Sequence, residues 1–203
     1  MAVCNDRGLP AAWDVRPARD NKSIHALPPI GRAHERGFAV ETCALDKGYD
    51  VSLTYDGCED RNVRPIIPLR QTTAVARGDH KPPTCDHGEW TFAGADYTRK
   101  ATRWRCPTGD CKPASRWVKM DRLHPLVPRE TARFKSLYKR RGAVEREFGR
   151  LKHEWALAPL RVRGLDQVRL HADLTILAKL ACELRRHART ARGVSSCRYA
   201  THL

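Results

Sequence analysis

Short apolar runs alternate with helical segments through the first 69 residues, and this order constrains the fold more than any other feature. Four runs are predicted to be strands: 2–4, 9–15, 38–45 and 63–69. The first two would form a hairpin around the turn at Asn5–Gly8. Two helices are predicted, one whose regular part begins at about Ile30 and ends at Gly37, and one over 51–61. Such an order predicts an α/β sheet with connecting helices.

The pattern changes at about Arg70. Residues 70–128 are rich in Pro, Gly, Thr, Trp and Cys, which indicates a β-rich insertion. Helical patterning returns from Pro128 to about Lys152. A second long helix is predicted over Leu165–Arg189, with a core-facing stripe at 165, 168, 172, 176, 177, 180 and 184. The predicted organisation has four parts: 1–69, 70–128, 129–190 and a flexible tail at 191–203.

The charge of the chain favours an anionic partner, nucleic acid first. Its 38 Lys and Arg against 23 Asp and Glu give a net charge of +15, and residues 129–203 hold 18 of these basic and only 7 acidic side chains. No apolar run has the length of a signal peptide or a membrane span, so a cytoplasmic location is expected. Four isolated cysteines are interpreted as small core residues: Cys4, Cys43, Cys58 and Cys182.

A polar stripe is predicted on the helix that begins near Pro128. Tyr138, Arg141, Glu145 and Lys152 follow one another at offsets of 3, 7 and 14 residues from the first. At about 100° per residue, these offsets place all four side chains on one helix face. A carboxylate flanked by a phenol and two cations suits the rim of a cleft that binds phosphates. An exposed helix with ordinary ion pairs would show the same pattern.

This Tyr-x2-Arg-x3-Glu-x6-Lys spacing resembles the signature of DDE-class insertion-sequence transposases. The segment Ala44–Asp50 is similar to the strand end that carries the second catalytic Asp of that family. Three further segments are typical of the family: Gly8–Trp13, Arg64–Pro68 and Arg146–Lys152 with the Leu160–Gly164 segment that follows it. The resemblance covers the chain from Val3 to about Arg186.

The resemblance implies an RNase H-like core that cleaves and joins DNA strands with two Mg²⁺ or Mn²⁺ ions. By position, Asp46 and Glu145 would be the catalytic metal ligands. Arg141 and Lys152 would neutralise phosphates of the DNA, and Tyr138 would pack or hydrogen-bond against its backbone. The implied partners are the terminal repeats of the element and the target DNA, with the protein as a homodimer on DNA and no membrane involved.

One catalytic residue of the family is expected to have no counterpart here, since the resemblance implies that the first catalytic Asp lies on a strand that precedes the hairpin. The expected fold class is therefore an α/β, RNase H-like core lacking its first strand, with a β-rich insertion before the catalytic Glu helix. Asp6, Asp14 and Asp20 are expected at the surface and not as replacements. The chain is expected to be a truncated, catalytically impaired transposase. The alternative is a non-catalytic remnant that binds DNA or multimerises.

Two pairs of metal-binding residue types lie in the insertion: Cys85 with His87, and Cys106 with Cys111. Together they could hold a structural Zn²⁺ from two hairpin-like turns. The spacings are tighter and wider than the usual Cys-x2-Cys, so thiols without a metal are the alternative. Between the pairs, Tyr97–Arg105 interleaves aromatic and cationic residues, which suits a DNA backbone or, equally, a solvated hairpin.

Overall fold

The computed structural model describes residues 2–4, 9–20 and 25–197, and the side chains of 9–20 and 25–188. The chain divides into two compact units, one made of residues 1–20 with 143–203 and the other of residues 21–142. The described part contains six α-helices and nine short β-strands. None of the helices described is long and apolar enough to cross a membrane.

A strand–helix–strand motif forms the centre of the unit at 21–142. Strands β3 (Thr42–Ala44) and β4 (Arg64–Ile66) pair in parallel, and helix α2 (Ser52–Glu59) connects them. Helix α1 (Leu27–Glu35) packs against α2. The α/β order that the sequence predicts is therefore confirmed for this segment.

Both strands are shorter than the predicted runs at 38–45 and 63–69. Pro65 and Pro68 have no backbone N–H to donate to a strand ladder, which limits how far β4 can pair. After α2, Asn62 adopts the left-handed conformation predicted for it, with φ 55°.

The start of α1 was predicted too late, at Ile30. The helix begins at Leu27, because Pro28 and Pro29 lie in its first turn, where a backbone N–H has no partner within the helix. Gly57 of α2 allows the two helices to approach closely. A Cβ atom at this position would lie 2.2 Å from Cδ1 of Leu27.

A small apolar core fixes the next helix against β4. Helix α4 (Ala132–Lys139) begins at a Thr131 cap, whose hydroxyl accepts a hydrogen bond from the Phe134 N–H. Phe134 packs with Ile66 of β4 and with Val127, and all three are buried. Burial of side chains of this size contributes about 1.5–3 kcal/mol each.

Short antiparallel strands form in this unit within the segment predicted to be a β-rich insertion. A hairpin of β5 (Thr84–Cys85) and β6 (Gly88–Glu89) precedes an antiparallel sheet in the order β7-β8-β9. Its strands are β7 (Thr91–Asp96), β8 (Ala101–Arg105) and β9 (Ser115–Lys119). One short helix was not predicted: α3 (Thr73–Arg77), which Thr72 caps and Gly78 closes at φ 87°.

The other unit contains the predicted N-terminal hairpin and two helices. Strands β1 (Ala2–Cys4) and β2 (Pro10–Trp13) pair antiparallel, as predicted, while the turn at 5–8 is outside the described residues. Helices α5 (Gly142–His153) and α6 (Leu165–Cys197) follow. The hairpin is joined to α6 by the Trp13 indole N–H, which donates to Asp173 Oδ1 at 2.6 Å.

The core-facing stripe predicted on α6 is only partly correct. Ala172 and Ile176 are buried as expected, but Leu177 and Leu184 are 62% and 71% exposed. The buried face also includes Lys179, so the apolar periodicity of the sequence combined positions from two different faces. The helix continues to Cys197, past the predicted boundary at 190.

The isolated cysteines differ from one another in burial. Cys43 and Cys58 are buried, as predicted, whereas Cys182 is exposed on α6, which contradicts the prediction. Burial raises the pKa of Cys58 to about 11 and raises that of Cys43 further. The side chain of Cys4 is outside the described residues.

Candidate functional site

Asp46 lies directly after β3, at the carboxyl end of a strand in a parallel pair. It caps a 3-10 helix at Lys47–Tyr49, and its Oδ1 accepts a hydrogen bond from the Lys47 N–H at 2.7 Å. This bond fixes the orientation of the carboxylate. The Asp46 side chain is still 56% exposed, so the group can bind a ligand from solvent. Functional groups of α/β sheets commonly occupy this edge.

Arg141 and Tyr138 lie near Asp46. The Arg141 guanidinium is 3.9 Å from Asp46 Oδ2, and its Cζ lies 6.0 Å from the centre of the Tyr138 ring. Tyr138 in turn stacks on Phe134, at 6.0 Å between ring centres. The apolar core under β4 therefore positions a phenol and a guanidinium beside the candidate carboxylate. Three of the five residues predicted for the site are together in this unit.

The prediction that Tyr138, Arg141, Glu145 and Lys152 share one helix face is wrong. Helix α4 ends at Lys139, and α5 starts at Gly142. The N–H groups of Arg140 and Arg141 donate to carbonyls three residues back, which tightens the last turn and ends the helix. Glycine at 142 further disfavours a continuous helix.

Glu145 and Lys152 remain on one face, because both lie on α5 and are seven residues apart. Both side chains are exposed. Glu145 occupies the first turn of the helix, where the positive end of the helix dipole stabilises a carboxylate. Leu151, which lies between them in the sequence, is fully buried and anchors the helix.

A buried ionic network around Asp50 was not found from the sequence. Asp50 accepts hydrogen bonds from Arg122 at 2.6 Å, from Tyr55 at 3.1 Å and from the Arg70 N–H at 2.8 Å. Arg129 lies 3.4 Å from Asp50 Oδ1, the oxygen that also accepts the Tyr55 hydrogen bond. Arg122 and Arg129 are more than 70 residues from Asp50 along the chain, so no local spacing in the sequence indicates their contacts with it.

This network stabilises the fold around Asp46. It ties the segment after Asp46 to the connection that leads into α4, because Arg122 and Arg129 of that connection pair with Asp50. Arg129 also donates to the Ile67 carbonyl, just after β4, at 3.0 Å. Burial, opposed by the neighbouring Arg129 charge, raises the pKa of Tyr55, so its hydroxyl stays protonated and donates to Asp50. The network therefore holds the two segments that carry Asp46 and Tyr138.

The four Cys and His residues predicted as metal ligands are close together. The Sγ atoms of Cys85 and Cys106 are 3.8 Å apart, and His87 Nδ1 lies 3.9, 3.7 and 3.5 Å from the Sγ atoms of Cys85, Cys106 and Cys111. All four ligand atoms lie within 4.8 Å of one another. Two turns far apart in the sequence are thus brought to one point.

One face of the β7-β8-β9 sheet carries aromatic and cationic side chains. Arg103 of β8 lies opposite Trp117 of β9, and its Cζ is 5.9 Å from the centre of the indole ring. Arg99 contacts the same ring at 5.6 Å. Trp117 is 43% exposed, and Arg105 and Lys119 share this face by strand alternation. The surface combines a stacking platform with positive charge.

Comparison with known proteins identifies one family. The model of the family described as transposase DDE domain matches residues 1–180. No curated protein and no solved structure matches the chain. The matched region includes Asp46, Arg141 and Glu145, together with the whole insertion.

Proposed function

The chain belongs to the transposase DDE domain family, and on this basis we propose that it acts on the ends of an insertion sequence as a DNA transposase. The single observation that carries the proposal within the fold is the Asp46 site. A strand-end carboxylate, open to solvent, lies 3.9 Å from a guanidinium that could bind phosphate. An RNase H-like core, with the β-rich segment inserted before Glu145, is the finer fold proposed.

The residues fit the divalent metal ions that the family uses. Asp46 and Glu145 offer exposed carboxylate oxygens, the donor type that Mg²⁺ and Mn²⁺ prefer. Such ions, when bound, stabilise the negative charge that develops on phosphate oxygens and lower the pKa of bound water. The hydrogen bond that the Lys47 N–H donates to Asp46 orients the carboxylate for this role.

Cationic side chains of the chain itself would bind the DNA backbone. Arg141 is oriented by Asp46 and by the Tyr138 ring, so its guanidinium is pre-positioned for phosphate oxygens. Lys152 on α5 would provide a second phosphate contact, on the same helix face as Glu145. Tyr138 would pack against the sugar–phosphate backbone.

Cleavage is tested on a supercoiled plasmid that carries the DNA flanking the coding sequence, with Mg²⁺, Mn²⁺ or EDTA. Nicking that needs the metal and is lost in Asp46→Asn and Glu145→Gln supports the proposal. Glu154→Gln is the matched control, because Glu154 is exposed just beyond the end of α5.

DNA binding without cleavage is the second candidate function. The Trp117 face of the insertion favours it, since this surface combines an aromatic ring with cationic side chains, which suits DNA. Retention of the plasmid without nicking, unchanged in Glu145→Gln, would support this alternative. A chain that neither binds nor nicks the plasmid would contradict both functions.

A homodimer on DNA is also proposed, and α6 offers a surface for it. The side chains of four leucines of α6 are 53–71% exposed and lie 4, 3 and 7 residues apart, which fits the heptad seam of a coiled coil: Leu170, Leu174, Leu177 and Leu184. Light scattering after gel filtration should show a dimer that Leu177→Glu dissociates. Ala132→Glu, an equal charge change at the exposed start of α4, should leave the dimer intact.

A further inference from the structure

The insertion holds a cluster of metal-ligand side chains that the cleavage chemistry does not use. We propose that Cys85, His87, Cys106 and Cys111 bind one structural Zn²⁺ ion. The inference is independent of the proposed function, because neither Asp46 nor Glu145 takes part in the cluster. It rests on the geometry of the four ligand atoms and on the architecture around them.

Four of the six distances between the ligand atoms match a tetrahedron around zinc, and all six are within 4.8 Å. With Zn–S bonds of about 2.3 Å and Zn–N bonds of about 2.0–2.1 Å, tetrahedral ligands lie about 3.8 Å apart for two sulfurs and about 3.6 Å apart for sulfur and nitrogen. The Sγ atoms of Cys85 and Cys106 are 3.8 Å apart. The three distances from His87 Nδ1 to sulfur are 3.5, 3.7 and 3.9 Å.

A disulfide does not account for this cluster. A bonded pair of sulfurs is about 2.05 Å apart, far shorter than the distance between Cys85 and Cys106. A disulfide would also leave the third cysteine and His87 without a role. Three thiols and an imidazole that converge on one point are the donor set of closed, structural zinc sites.

The ligands come from two turns at the same end of the insertion. Cys85 and His87 lie on the β5–β6 hairpin, and Cys106 and Cys111 lie in the connection between β8 and β9. Gly88 and Gly109, with φ 115° and 84°, allow the tight backbone of these turns. Bound zinc would join the hairpin to the sheet and reinforce the β5–β6 ladder, which has only two residue pairs.

The apolar core beneath the cluster is small. Trp90, Trp104 and Cys106 are its buried members, with Val118 partly buried against them. Small domains with few buried side chains usually need a disulfide, a metal or a partner to be stable. Zinc here would link the ends of β8 and β9, and so would also fix the sheet that presents Trp117 and Arg103.

The test is the zinc content of the full chain, purified under reducing conditions and measured by mass spectrometry of the metal. We expect one zinc per chain, which Cys85→Ser and Cys111→Ser lose. Cys182→Ser is the matched control and should retain it, because Cys182 is an exposed cysteine of α6 and is not one of the four clustered residues. His87→Cys, which keeps a ligand, should retain the metal, whereas His87→Ala should lose it.

Two further measurements keep the outcome decisive if a variant does not fold. Cobalt added to chelator-treated wild type should give the visible absorption of a tetrahedral cobalt–thiolate site. Asp46→Asn should keep its zinc, so a failure of the cleavage proposal leaves this result unchanged. Folded wild-type protein without stoichiometric zinc, or equal zinc in Cys85→Ser, Cys111→Ser and Cys182→Ser, would overturn the proposal.

Discussion

Lys179 and Glu147 form an ion pair with both side chains only 2% exposed. The Lys179 ammonium donates to Glu147 Oε2 at 2.7 Å and lies 2.6 Å from Oε1, and so joins α5 to α6. A buried charge is costly unless it is paired, so neither residue can be changed alone without leaving the other uncompensated. The pair therefore stabilises the position of the helix that carries Glu145.

Removal of one member of this pair should destabilise the protein strongly. Lys179→Met leaves the Glu147 carboxylate buried and unpaired, so the free energy of unfolding should fall by about 3–5 kcal/mol. The double variant Glu147→Leu with Lys179→Met should recover most of that loss, because two apolar side chains can pack in place of the charges. Urea denaturation followed by circular dichroism measures the free energy of unfolding of the single and the double variant. Equal losses in the single and double variants would contradict the prediction.

Asp50 should be equally sensitive to substitution. Asp50→Ala leaves the Arg122 and Arg129 guanidiniums without their buried carboxylate, and the expected loss of unfolding free energy is about 3–5 kcal/mol. Asp79→Ala is the control, since Asp79 pairs with Arg77 at the surface and should change stability by at most about 1 kcal/mol. Similar losses in the two variants would show that the Asp50 network contributes little.

The thiols should differ in their reaction with iodoacetamide. Only the thiolate reacts, and burial raises the pKa of Cys58 to about 11 and that of Cys43 further, so few of these groups are ionised at pH 8. Of these three cysteines, exposed Cys182 should be modified first, and peptide mass spectrometry locates the label. Modification of Cys43 should require unfolding in urea. Fast labelling of Cys43 in the native protein would contradict this order.

Trp117 should contribute to DNA binding through the sheet face. Trp117→Ala removes the ring on which Arg99 and Arg103 lie. If one base stacks on this ring, the free energy of DNA binding should weaken by about 1–3 kcal/mol. Binding to a single-stranded oligonucleotide, measured by fluorescence anisotropy, should weaken accordingly. Phe38→Ala removes an aromatic side chain of similar exposure outside the insertion and should leave affinity unchanged. Equal affinities of Trp117→Ala and wild type would exclude the face from DNA binding.

Arg103→Ala tests the electrostatic part of the same surface. Loss of one phosphate contact should reduce the slope of affinity against salt concentration by about one unit. Arg77→Ala is a matched control, because Arg77 is exposed on α3 and pairs with Asp79. An unchanged salt slope in Arg103→Ala, with the slope of Arg77→Ala also unchanged, would show that Arg103 contacts no phosphate.

Local signals in the sequence were enough for part of the fold. The β1–β2 hairpin, the β3–α2–β4 order and the left-handed Asn62 follow from apolar runs and turn residues, which act over a few positions. The break between α4 and α5 was not predicted. It depends on the hydrogen bonds that close α4, whereas periodicity continues through the break.

The predicted site also divides into features that local sequence indicates and features that depend on the folded chain. Asp46, Glu145 and the family were inferred from short motifs, and the family assignment is confirmed. The roles of Asp46, Glu145 and Lys152 stay predictions, as does the absence of the first catalytic Asp. The proximity of Asp46 and Arg141 depends on the core around Ile66 and Phe134, which only the folded chain assembles.

The sequence by itself determined the family, the strand and helix order of residues 38–69 and the residue types that could bind a metal. These follow from local spacing and from motifs that are short along the chain. Only the tertiary structure decided that Cys85, His87, Cys106 and Cys111 converge and that Asp50 is enclosed by Arg122 and Arg129. The reason is physical: such contacts join distant segments, and their energies depend on burial and distance, which a linear sequence does not specify.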